Sequence, residues 1–214
     1  MAVSQATNAE VGKASRRVLF VDKDGTLIED LPYNVDPVRV RFAPGARQAI
    51  RRLGEAGVEL AVVTNQSGVA RGYFSMSDLE RLRGHLAREI ESLGCRFAGF
   101  YVCPHLPEGE VESFAIDCEC RKPLPGLLLA AAAELDVDLG RSWFVGDTWM
   151  DVAAGQAAGC RSVLIGPESR DRSTHPAGIQ PDAAVPDLLA AVEIVLADET
   201  STAQVAAALG RDAA

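Results

Sequence analysis

The 214-residue chain is long enough for one well-buried domain and too short for two comfortable ones. A formal charge of −9 argues against a nucleic-acid backbone binder, which needs a basic face. The 48% apolar content and mean hydropathy of +0.06 are those of a soluble globular protein, and no apolar run approaches the ~20 residues that span a bilayer.

In chain order, Met1 to Ser15 is Ala-rich and polar, lacks the apolar stretch of a signal peptide, and is expected to be a loose tail on a cytoplasmic protein. Arg17 to Val21 reads as a strand that delivers Asp22 and Asp24, with Gly25-Thr26 breaking it into a loop. Pro44 to Ala56 reads as a helix with Ala46, Ile50 and Leu53 on one face and Gly57 closing it. Val58 to Val63 is a second strand, ending in Thr64-Asn65-Gln66-Ser67-Gly68. Ser75 to Leu93 is a helix that Ser75 or Ser77 can cap, and Phe97 to Val102 is a third strand. The stretch 103–121 has no periodicity, and a loop of that length needs something to staple it. A helix through Leu127 to Leu135 follows Pro123 and Pro125. Then come a strand at Ser142 to Val145, a helix at Asp147 to Ala158, a strand at Arg161 to Ile165 and a helix at Pro186 to Leu196. The domain is expected to occupy residues 16–198, with 199–214 as a tail or short helix. Strands alternating with helices imply an α/β fold whose parallel sheet is covered on both faces. Ligands then bind beyond the carboxyl ends of the strands, where all the polar motifs fall.

Four constellations carry chemistry. Asp22 and Asp24 stand two residues apart at a strand end, where one carboxylate can act as nucleophile or metal ligand while the other moves protons. The Thr64–Gly68 turn can aim hydroxyl, amide and N–H groups at phosphate oxygens. Cys103, His105, Cys118 and Cys120 form a Cys₃His set, a closed tetrahedral zinc environment that would order the loop. Cys95 and Cys160 read as buried apolar fillers. Arg121-Lys122-Pro123 places cations at the mouth of the next helix, where an anion is favoured. In Val145-Gly146-Asp147-Thr148-Trp149-Met150-Asp151, Asp147 can cap the helix or, with Asp151 one turn later, join Asp22 in an oxygen-rich pocket for Mg²⁺. His85 and His175 are assigned no role.

These motifs, in this order, resemble the haloacid dehalogenase-like phosphohydrolases from about Arg17 to Pro167. The closer similarity is to the D-glycero-D-manno-heptose 1,7-bisphosphate 7-phosphatases and the related histidinol-phosphate phosphatases. The carrying stretches are Asp22-Lys-Asp-Gly-Thr, Val63-Thr-Asn-Gln-Ser-Gly-Val-Ala-Arg-Gly, Tyr101-Val-Cys-Pro-His, Cys118-Glu-Cys-Arg-Lys-Pro and Val145-Gly-Asp. The resemblance implies a Rossmann-like three-layer α/β/α domain with little cap, catalytic Mg²⁺ and structural Zn²⁺. It implies Asp22 as the nucleophile forming an aspartyl-phosphate, Asp24 as the acid and then base, and Thr64 and Lys122 as stabilisers of the phosphoryl group. Asp22, Asp147 and the Asp24 carbonyl look like Mg²⁺ ligands. Asp30, Tyr33, Asn65, Gln66, Ser67, Arg71 and Arg121 look like substrate contacts. A small phosphosugar is the implied substrate, with no nucleic-acid or membrane partner and a monomeric state. A histidinol-phosphate phosphatase and a non-catalytic phosphosugar-binding module are the alternatives. This chain departs from the family pattern at Lys23, at Leu31-Pro32 before Tyr33, and at Thr148, which removes a cation from the site.

Overall fold

Six parallel strands form one sheet, in which the strands, counted along the chain, stand in the spatial order third, second, first, fourth, fifth, sixth. The structure, a computed structural model, describes residues 16–166 and 177–209, with side chains through 198. The strands are β1 Val18–Val21, β2 Glu59–Asn65, β3 Phe97–Cys103, β4 Trp143–Gly146, β5 Arg161–Ile165 and β6 Ala183–Val185. The helices are α1 Ala46–Ala56, α2 Met76–Ser92, α3 Gly126–Leu135, α4 Trp149–Ala158 and α5 Leu188–Leu209. The expected tail at 1–15, His175 and residues 210–214 lie outside the described residues.

The sheet is buried from both sides because successive strand residues serve opposite faces. Leu19 and Val21 of β1 join Leu60, Val62, Val145 and Val163 in a core with α1, α2 and α5. Val18 and Phe20 point the other way, into a core with Ala61, Val63, Phe144 and the α3 residues Leu128 and Ala131. Each large apolar side chain so buried contributes roughly 1.5–3 kcal/mol relative to exposure. On α1 the buried positions are Ala46, Ala49, Ile50 and Leu53, one stripe at helical spacing, and Gly57 at φ 68° ends the helix. Ser75 and Asp78 form a reciprocal capping box at the start of α2. The result is a three-layer α/β/α sandwich.

Two elements differ from the sequence expectation. The short strand β6 pairs with β5 through Val163, Leu164 and Ile165. Its Ala-Ala-Val sequence is too short to give a periodic signal. The last helix runs to Leu209, well past the expected Leu196. Among the described residues no helix is long and apolar enough to cross a membrane.

The strand order reverses direction between β1 and β4, the point at which the connections of such a sheet diverge and leave a crevice. Asp22 follows β1, Thr64 and Asn65 end β2, Cys103 ends β3, and Asp147 follows β4. One rim of the sheet therefore gathers every motif singled out above.

Candidate active site

The Asp22 N–H donates to the Val145 carbonyl at 2.8 Å, so the last rung between β1 and β4 fixes the backbone of Asp22. The chain then folds back, with the N–H groups of Leu27 and Ile28 both donating to the Lys23 carbonyl at 3.0 Å. Gly25, at φ 74°, is what lets Asp147 approach: a Cβ there would lie 2.1 Å from Asp147 Oδ2. Gly146 has the same use toward Asp151, whose Cβ would stand 2.3 Å from an added methyl. Carboxylate oxygens of Asp22, Asp147 and Asp151 consequently lie within 4.8 Å of one another.

Lys122 enters this cluster from the α3 side and is almost wholly buried. Its ammonium stands 2.7 Å from Asp22 Oδ1 and 2.6 Å from Asp151 Oδ1, and it donates to the Val63 carbonyl at 3.0 Å. The Asn65 side chain holds the Lys122 backbone at both ends. Its Oδ1 accepts from the Lys122 N–H and its Nδ2 donates to the Lys122 carbonyl, each at 3.0 Å. Asp151 is fixed as well, its Oδ2 accepting from Thr148 N–H at 3.1 Å and from Thr148 Oγ1 at 2.6 Å. Thr148 is the N-cap residue of α4, so the capping role considered for Asp147 belongs to its neighbour, and Asp147 is left to face Asp22.

Asp24 is held apart from that cluster. Lys23, also fully buried, places Nζ 3.0 Å from Asp24 Oδ1, and Gln66 Nε2 donates to Asp24 Oδ2 at 2.9 Å. The same Gln66 amide reaches Thr64 Oγ1 at 3.0 Å. Sequence reasoning sets Asn65 and Gln66 among the substrate contacts. The structure engages the Asn65 amide with the Lys122 backbone and Gln66 Nε2 with Asp24 and Thr64, so each holds a neighbouring group in place.

Burial is the main influence on the acids. It pushes Asp22 up to about 6, against the pull of Lys122 and with the help of the Asp151 and Asp24 charges. It pushes Asp147 up to about 7, reinforced by Asp22 and Asp151. For Lys122 burial opposes the charge, but Asp151 and Asp22 outweigh it and hold its pKa above that of an ordinary lysine. Three carboxylates therefore face one ammonium, an excess of negative charge that suits a divalent cation with oxygen ligands such as Mg²⁺.

The cysteine-histidine set converges at the end of β3. Sulfur–sulfur distances are 3.2, 3.4 and 3.6 Å, and His105 Nδ1 lies 3.3 Å from Cys120 Sγ and 3.8 Å from Cys103 Sγ. A tetrahedron with Zn–S bonds of ~2.3 Å has edges of about 3.8 Å, so a small expansion admits the ion. Four protein donors leave no open position, the mark of a structural site. The loop is also tied to the β2 turn: Glu110 and Val111 N–H groups donate to the Ala70 carbonyl at 2.7 and 2.9 Å.

The remaining candidates lie further out. Asp30 and Tyr33 are exposed in the loop after β1, and Ser67 is half-buried. Arg121 donates to the His105 carbonyl at 3.3 Å. Arg71 is half-buried, its Nε enclosed without a hydrogen-bond partner. Two features escaped the sequence reading: the Lys122–Asp151 pair and the Lys23–Asp24 pair. The first had a legible trace, since Thr148-x-x-Asp151 is a capping-box spacing that pins one oxygen and turns the other inward.

Comparison with known proteins agrees with this geometry. A HAD-hydrolase-like family model matches residues 119–191. The chain is 42% identical over 140 residues to the D-glycero-beta-D-manno-heptose-1,7-bisphosphate 7-phosphatase of Yersinia pestis, covering 65% of this chain and 74% of that one. It is 41% identical over 140 residues to the protein of the same name from Escherichia coli K12, covering 65% and 73%. Its fold matches the crystal structure of D,D-heptose 1,7-bisphosphate phosphatase from B. bronchiseptica complexed with magnesium and phosphate. There the TM-score is 0.72 and the identity 32%, with 85% of this chain and 99% of that one covered.

Proposed function

Because the chain belongs to the D-glycero-beta-D-manno-heptose-1,7-bisphosphate 7-phosphatase family of HAD-like hydrolases, we propose that it removes the 7-phosphate of heptose 1,7-bisphosphate through an aspartyl-phosphate on Asp22. The observation that carries this reading is the division of labour among the carboxylates. Asp22, Asp147 and Asp151 crowd around Lys122, while Asp24 is held separately by Lys23 and Gln66.

In this reading Asp22, Asp147 and the Asp24 carbonyl would hold Mg²⁺, with Asp151 beside them fixing Lys122, and the ion would supply charge neutralisation for the phosphoryl oxygens when bound. An Asp22 carboxylate oxygen attacks phosphorus, and the bond to the sugar oxygen breaks in line. Asp24 gives its proton to that departing oxygen. It then takes a proton from the water that attacks phosphorus and cleaves the acyl phosphate, which restores Asp22. Lys122 and Thr64 receive the equatorial phosphoryl oxygens. The three contacts of the Lys122 ammonium keep it in place before substrate arrives, so little reorganisation is needed at the moment of reaction. The zinc tetrad fixes the loop that leads directly into Arg121 and Lys122.

Phosphate release from a panel of phosphate esters with added Mg²⁺ tests the reading. Heptose 1,7-bisphosphate should exceed histidinol phosphate in kcat/KM by at least ~100-fold, about 2.7 kcal/mol of transition-state binding. Arg71 and Arg121 favour a second phosphate and disfavour a cationic amine. Equal efficiency, or a preference for histidinol phosphate, promotes the second member of the resemblance. No phosphate release from any ester would mark a binding module.

A further inference from the structure

A cavity of about 820 Å³ lies between α1, α2 and the segment 37–43, and it shares no residue with the site described above. That volume is in the range of small-molecule sites. Ile28 and Phe42 form an antiparallel bridge that closes 29–41 into a loop, and the Glu29 N–H donates to the Arg41 carbonyl at 2.9 Å. Asp36 Oδ1 accepts from the Val38 N–H at 3.0 Å and caps a single turn at Pro37–Arg39. One wall of the cavity is thereby fixed before any ligand arrives.

The charge of this cavity runs against that of the chain. On a protein of net charge −9, Arg41, Arg47, Arg51 and His85 line it against Glu29 and Glu89. Glu89 is taken by Arg47, with 3.3 Å between Oε2 and Nη1. Arg41 donates from Nη1 to the Val38 and Val40 carbonyls at 3.0 and 2.8 Å, so its charge meets no carboxylate. Arg51 and His85 have no hydrogen bond or ion pair among the described residues. The helix does not account for these cations. Arginines near the start of α1 oppose its dipole, and its first turn carries no acid to offset them. Apolar surface lies in the same lining: the Arg47 guanidinium stands 5.0 Å from the centre of the Phe42 ring, and Val38 is 79% exposed.

We propose that this cavity binds a small organic phosphate, with its dianion on Arg41 and Arg51 and its apolar body on Phe42 and Val38. The planar fork of arginine matches phosphate oxygens, and an arginine without a carboxylate partner keeps its charge for them. Neither metal-ligating cluster belongs to the cavity, so it holds its ligand without turning it over. The proposal stands apart from the phosphatase reading and does not depend on it.

The test is a calorimetric titration with phenylphosphonate, which joins a ring to a dianion and has no ester bond to cleave. It is run in Mg²⁺-free buffer without chelator, where the carboxylates around Asp22 repel a dianion. One saturable site with Kd below ~1 mM is expected. Arg51 is exposed, so Arg51→Glu should melt as the wild type does while weakening binding at least ~10-fold. Phe42→Leu keeps apolar volume but removes the ring, and should weaken it by about 3-fold or more. Inorganic phosphate, which lacks the apolar body, should bind ~10-fold more weakly than phenylphosphonate. No saturation by ~10 mM phenylphosphonate overturns the proposal. So does wild-type affinity in Arg51→Glu, or equal affinity for inorganic phosphate. Binding that tightens in Asp22→Asn would place the ligand at the carboxylate cluster and overturn it as well.

Discussion

Two four-residue clusters share one rim of the sheet, and they differ in every property that matters. Around Asp22 the donors are hard carboxylates joined by one ammonium and charge-unbalanced, Asp22 and Asp151 buried and Asp147 half-buried, with Asp22 pushed up to about 6 and Asp147 to about 7. Around Cys103 the donors are three sulfurs and an imidazole that already stand at near-tetrahedral separations. The first cluster carries more carboxylates than ammonium groups, which suits a divalent ion that keeps positions open for substrate. The second is complete once one soft ion enters, with nothing left for chemistry. Donor type and count, rather than location, separate a working centre from a staple.

The sharpest way to break the comparison is Asp22→Asn. The amide is nearly isosteric but a far weaker nucleophile, so turnover should vanish while circular dichroism and zinc content stay as in wild type. Activity within a few fold of wild type would sink the nucleophile assignment. Next in size is Asp24→Asn, which removes the proton carrier and should slow turnover by ~10²–10⁴-fold with Mg²⁺ affinity retained.

At the other cluster the sizes should invert. Metal analysis of protein purified without chelator should find one zinc per chain. Cys118→Ser should cost about 2–3 kcal/mol, or ~5–10 °C in melting temperature, while kcat falls less than in Asp24→Asn. A zinc-free protein with wild-type melting would show the tetrad to be incidental.

The smallest effect is electrostatic. Asp22 at about 6 and Asp147 at about 7 stand above the ordinary carboxylate value of 3.8 that an unfolded chain would show. The folded state then holds extra protons between roughly pH 4 and 7, and stability falls as pH rises through that window. In Mg²⁺-free buffer without chelator, melting at pH 7.5 should lie below that at pH 5.5 by a few degrees. Added Mg²⁺ should shrink the gap, whereas added zinc should not. A gap that is insensitive to Mg²⁺ would detach it from the carboxylate cluster.

The rim was legible because its signals are local. A strand followed by Asp22-x-Asp24-Gly, or two short Cys/His pairs, declares its chemistry within a few residues. The helix faces of α1 and α2 were legible for the same reason, through spacing and caps. What stayed hidden is long-range. Asn65 and Lys122 are 57 positions apart, and no local pattern tells that an amide will grip a distant backbone rather than a ligand. Lys23 is a charged residue in a loop, the usual sign of exposure, yet its partner Asp24 lets it be buried. β6 was missed because its three residues form a strand only by pairing with β5.

The staple also has a bearing on how this sequence can change. Residues 106–117 form an excursion that leaves from His105 and returns to Cys118, and both of these ends belong to the tetrad. Length can be gained or lost within the excursion without shifting Lys122, because the ion marks where the chain must come back. Between Cys120 and Lys122 there is a single residue, Arg121, and no such freedom. Insertions tried along this stretch should therefore be tolerated up to Asp117 and fail abruptly after Cys120, so that the outer part of the loop is open to remodelling of access to the site and the inner part is not.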